Sequence, residues 1–157
     1  MKKWGVLLST VLALVLLGNC GGGPALPEKL EVPLKLVKGI EGDAKGNAVI
    51  DTKTGADISI SITGLKPDGL YTVFFVNVKS QMFEGVGQEP YVLQVDPNGA
   101  VNFQGKFKKD SYKTFTKLAV FLNPGGKPIH NPLGVKATLD ALIKTEKPKM
   151  VLEGKLR

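Results

Sequence analysis

The chain carries a single cysteine, Cys20, and a single histidine, His130. One cysteine rules out a disulfide within the chain. One histidine removes most metal and nucleophilic chemistry. A blue-copper site takes two histidines and a thiolate, and copper–zinc dismutase chemistry takes more histidines still. A serine, cysteine or threonine nucleophile needs a base beside it. Only His130 would serve, and no Gly-x-Ser-x-Gly run occurs. Glycoside hydrolysis takes two convergent carboxylates, whereas the acids here are scattered through turn-like segments. No repeat of 20–50 residues is present. The net charge is +7. Without Lys2 and Lys3 it is +5, 19 basic residues against 14 acidic; that is mildly basic, below the density of a nucleic-acid binder, and it points instead to anionic headgroups or surface polysaccharide.

Only one long apolar run exists, and it stands at the front. Lys2 and Lys3 precede it. It runs over residues 4–17, broken by Gly5, Ser9 and Thr10, and it ends in Leu17-Gly18-Asn19-Cys20. As a helix it would cover only ~21 Å, against a bilayer core of about 30 Å. It is short for a permanent anchor and the right length for a secretory h-region. The residues around Cys20 resemble the lipobox of bacterial lipoproteins. Leu17 matches the apolar position and Gly18 a small one, while Asn19 stands where glycine, alanine or serine is usual. The resemblance implies cleavage before Cys20 and lipid on its thiol, so the membrane is an expected partner. A plain secretory signal and a short uncleaved anchor are the alternatives. A free thiol in an oxidising compartment would be a liability, which acylation removes. In this resemblance Gly21, rather than aspartate, implies the outer membrane if the host is Gram-negative. Gly21-Gly22-Gly23-Pro24-Ala25-Leu26-Pro27 then reads as a linker, flexible first and stiffer later. The expected division is a signal over 1–19, a linker over 20–29 and one domain over 30–157.

The domain reads as all-β. Ile58, Ile60 and Ile62 alternate with Asp57, Ser59, Ser61 and Thr63, which predicts a strand with one buried face. Residues 70–78 are apolar on both faces and rich in aromatic and β-branched side chains, which predicts a central strand. Tyr91, Leu93 and Val95 alternate again. Asp96-Pro97-Asn98-Gly99 supplies turn chemistry, and Val101, Phe103 and Phe107 follow, so this stretch predicts a hairpin. Residues 30–37, 48–52, 118–122 and 150–156 predict further strands. Leu139, Leu142 and Ile143, with Val135, have helical spacing, which suggests a short helix near 136–144. Seven to eight strands at this spacing predict an antiparallel sandwich or barrel.

Residues 62–73 sharpen the class. Ile62-Thr63-Gly64-Leu65-Lys66-Pro67-Asp68-Gly69-Leu70-Tyr71 resembles the tyrosine corner of fibronectin type III and other immunoglobulin-like sandwiches. The resemblance implies that Tyr71 bonds back to upstream backbone and that Leu65 plugs the core. It implies an immunoglobulin-like sandwich without its exact topology, because too many strands follow Tyr71. No ligand-binding residue comes with it.

Among candidate sites, His130 lies in a proline-rich loop and reads as an exposed loop residue rather than a ligand. Glu41-Gly42-Asp43-Ala44-Lys45-Gly46-Asn47 looks in part like a calcium loop, but Lys45 falls where an oxygen ligand belongs. Lys106, Lys108, Lys109, Lys113 and Lys117 form the densest basic cluster. They read as a solvated sheet face that blocks edge association, or as a contact for headgroups or anionic glycan. Met82 and Phe83, between Lys79 and Gln88, read as a loop that caps the core or meets a partner. The expectation is a lipid-anchored, non-catalytic β module of the cell envelope that binds a protein or glycan. It needs no cofactor, metal or nucleic acid. A divergent metal-binding or ligand-carrying periplasmic protein is the alternative.

Overall fold

A computed structural model describes residues 27–128 and 138–157. Among the described residues the fold is all-β and antiparallel throughout, with nine strands, one short α-helix and two single turns of 3-10 helix. The strands are β1 (Lys29–Leu36), β2 (Lys45–Asp51), β3 (Asp57–Thr63), β4 (Tyr71–Asn77), β5 (Met82–Gly85), β6 (Val92–Leu93), β7 (Val101–Lys106), β8 (Lys117–Leu122) and β9 (Lys149–Lys155). The strands form one continuous path, β5-β4-β8-β9-β1-β2-β3-β7, with β6 pairing β4 beside β5. The two layers are therefore halves of one curled sheet. β1 joins them: residues 29–34 pair with β2, and Lys35 and Leu36 pair with β9.

Alternation builds the core. Val32 and Leu34, Ala48 and Ile50, and Ile58, Ile60 and Ile62 point inward from β1, β2 and β3. Tyr71, Val73 and Phe75 of β4 meet them from the other half, with Leu118 and Val120 of β8. Phe75 packs edge-on against Phe107 at 5.0 Å and stacks with Phe115 at 6.0 Å. The outer faces of β1, β2, β3 and β7 carry mostly polar residues, as one-sided strands of an antiparallel sheet should.

β4 is buried on both faces because a second core covers its back. Phe74, Val76, Ala119 and Phe121 lie beneath Leu139 and Leu142 of α1 (Leu139–Glu146). The Thr138 hydroxyl caps α1 by accepting from the Ala141 N–H at 3.2 Å, the usual task of an N-cap threonine. The helix thus starts three residues later than the sequence suggests and runs to Glu146. Ile143, expected on its apolar stripe, is exposed.

Two expectations are corrected. Residues 82–85 are a strand, not a loop, with Val76 opposite Phe83 and Phe74 opposite Gly85; this raises the strand count to nine. The predicted hairpin does not form. The turn itself is made: the Gly99 N–H donates to the Asp96 carbonyl at 3.0 Å, and the Asp96 carboxylate accepts from Asn98 and Ala100. Its two flanks separate, however, because β6 pairs with β4 and β7 with β3. The turn instead docks on the β3–β4 corner, where the Leu65 N–H donates to the Gly99 carbonyl at 3.0 Å. Local turn chemistry determines the turn, while burial decides where each flank pairs.

Candidate functional site

The local bond expected of Tyr71 is present. The Lys66 N–H donates to its Oη at 3.1 Å, and Tyr71 and Leu65 are both buried in the main core. Cys20 and His130 lie outside the described residues. Among the described residues, no three His, Cys, Asp or Glu side chains gather as a metal site.

The curled sheet has two edges, β5 and β7; Met82, Phe83, Lys106, Lys108 and Lys109 lie on or next to them, whereas Lys117 lies on the interior strand β8 and Lys113 in the turn at 111–113. On β7, the Phe107 N–H donates to the Ala56 carbonyl. By alternation, the backbone groups of Asn102, Gln104 and Lys106 face away from β3, toward the seam. On the β5 side, the Val86 N–H donates to the Val73 carbonyl, so Phe83 and Gly85 turn their backbone groups to the seam. One bond crosses it: the Gly87 N–H donates to the Lys106 carbonyl at 2.9 Å. An open concavity of about 450 Å³ lies here, lined by Glu84, Gly85, Gly87, Tyr91 and residues 106–108.

The seam brings Lys106 and Lys108 together with the strand that carries Met82 and Phe83. It does not gather all of the candidates into the concavity. Phe83 packs on the outer core, edge-on to Phe74 at 5.8 Å. Met82 is 45% exposed. Lys106 is exposed and pairs with Asp57 at 3.4 Å. The Thr54 hydroxyl first, and the Lys106 ammonium after it, hold the Asp57 carboxyl below its ordinary value. Lys108 and Lys109 are exposed. Lys113 is bound to Asp110 at 2.8 Å and Lys117 to Glu153 at 2.6 Å.

Two seam residues were not singled out from the sequence. Glu84 lies opposite Phe75 on the inward side of β5, and its Oε1 is shielded with no partner. Tyr91 lies over Gly85, where an added Cβ would come within 2.5 Å of its ring. Burial, then the Glu89 and Glu84 carboxylates, push its phenol above the ordinary value. The period-2 order Met82-Phe83-Glu84-Gly85 is the signal that would have found Glu84. The seam thus offers lysine donors, a carboxylate acceptor and free strand edges to one guest. Comparison with protein-family models, curated proteins and solved structures returns no match.

Proposed function

We propose that this protein is a membrane-anchored lipoprotein whose β domain is a non-catalytic binding module of the cell envelope. The observation that carries the reading is the pattern of residues 1–20: two lysines, a short apolar run, and Leu17-Gly18-Asn19 before the only cysteine. Cys20 stands about seven residues before Pro27. At ~3.3–3.6 Å per residue, the domain is held within about 25 Å of its anchor. The bond from Lys66 to Tyr71 supports kinship with immunoglobulin-like sandwiches at that corner.

The partner side of the reading rests on the seam. An extended segment of an envelope protein adds to a free sheet edge through main-chain bonds, with side-chain pockets supplying selectivity. Lys106 and Lys108 favour acidic side chains on that segment.

Metabolic labelling with palmitate tests the anchor. The native chain should take up label and partition with membranes, and Cys20→Ala should lose both. An unlabelled native chain, with Cys20→Ala still bound to membranes, would overturn the lipoprotein reading.

A further inference from the structure

The described chain begins at one end of the curled sheet, and a second cavity opens there. It has about 220 Å³ and is walled by Pro27, Leu30, Tyr112 and Leu156, with Lys113 and Arg157 at its rim. Tyr112 is only 5% exposed, yet its hydroxyl finds no partner. Its ring meets Phe107 edge-on at 6.1 Å. A shielded hydroxyl without a partner is uncommon in a native fold, and a bound molecule with an acceptor oxygen would supply one.

The charge at this end of the sheet is one-sided. Loops 52–56 and 107–113 meet here, where the Asp110 N–H donates to the Gly55 carbonyl at 2.7 Å. The acids of this end are engaged: Glu28 with Lys53 at 2.7 Å, Asp57 with Lys106 and Asp110 with Lys113, while the Asp51 carboxylate accepts from the Lys53 and Thr54 N–H groups. Lys29, Lys108, Lys109 and Arg157 have no carboxylate within ion-pair distance among the described residues; of these only Arg157 lines the cavity, and its guanidinium donates to the Thr114 carbonyl at 3.4 Å. In sequence these cations are up to 128 positions apart; the fold gathers them at the end where the chain arrives from Cys20.

We propose that this cavity seats an anionic phospholipid of the bilayer to which the chain is tethered, an inference that rests on the lipoprotein reading above. The lipid phosphate lies at the rim with Lys113 and Arg157. The Tyr112 hydroxyl, shielded in the present arrangement, turns into the cavity to donate to a phosphate or ester oxygen. Pro27, Leu30 and Leu156 cover the first methylenes. The volume is about seven times the ~30 Å³ that a water takes up in the liquid, enough for the glycerol-phosphate region of one lipid and the start of one chain.

The test uses full-length lipidated protein in vesicles of phosphatidylcholine alone or with phosphatidylglycerol, read by amide hydrogen exchange. Exchange over 107–114 should slow at least fivefold with phosphatidylglycerol. The double change Lys113→Gln, Arg157→Gln should abolish the slowing, and Tyr112→Phe should weaken it. Lys38→Gln with Lys45→Gln, at the far end, should leave it intact. Soluble dihexanoyl-phosphatidylglycerol should protect the same segment without a bilayer, and inorganic phosphate should not. Equal protection by inorganic phosphate, or loss of protection on the far-end change alone, would overturn the site. So would a lipidated, vesicle-bound protein with no difference between the two vesicles. Protection by the short-chain lipid on a protein that takes up no palmitate would uphold the cavity and overturn the lipoprotein reading.

Discussion

Tyr71 accepts from the Lys66 N–H at 3.1 Å while its ring sits in the core. Tyr71→Phe keeps the ring and removes the acceptor. The expected cost is about 1–2 kcal/mol, seen as a lower urea midpoint with an unchanged slope. Asp57 gives a second residue-scale outcome. Its carboxyl titrates below its ordinary 3.8, so the native state favours the ionised form. The stability it adds is complete above the ordinary value and is lost as pH falls through the lowered native one. Its titration followed by carboxyl-carbon NMR should move up in Lys106→Ala; an unmoved titration would remove Lys106 as a cause. These residues were legible in very different degrees. Tyr71 was readable because the corner is a local arrangement within a dozen residues. The Asp57–Lys106 pair was not, because it depends on which strand lies beside β3.

At the scale of elements, the two-sided burial of β4 makes a second test. Leu142 is buried under the outer core, whereas its neighbour Ile143 is 39% exposed. Leu142→Ala should cost about 2–5 kcal/mol, and Ile143→Ala about 0.5 kcal/mol or less, both by thermal or urea unfolding. Equal losses would mean that α1 does not pack as described. Strands with strict alternation, such as β3, were readable because one face meets water. The helix was readable by spacing, but its start was set by the Thr138 cap, which also sits beside a second contact: the Gln81 carbonyl and side-chain oxygen accept from the Leu139 and Asp140 N–H groups, each at 2.9 Å. β5 was misread as a loop because the glycines at its end and just beyond it each mark a ring packed close by. Gly85 accommodates Tyr91, and Gly87 accommodates Phe103.

For the molecule as a whole, the curled sheet ends in two edges rather than closing. Edges recruit other chains unless charge or shape prevents it. Lys106 and Lys108 flank the β7 edge, so Lys106→Ile with Lys108→Ile should promote self-association. Sedimentation velocity should show larger species than the native chain forms at the same concentration; an unchanged profile would take these lysines out of edge protection. The seam was beyond sequence reading for a plain reason. It is formed by strands 5 and 7 at opposite ends of the strand order, and only the long path through β1 brings them face to face.

That path gives β1 a further consequence once the chain is tethered. A partner held at the seam and an anchor at Cys20 would put the domain under tension, and the pull would enter at Pro27, directly along β1. Its bonds to β2 and β9 lie across that direction, so they would be loaded in shear and together, rather than peeled one after another. The strand that joins the two halves is also the one that would carry the mechanical load.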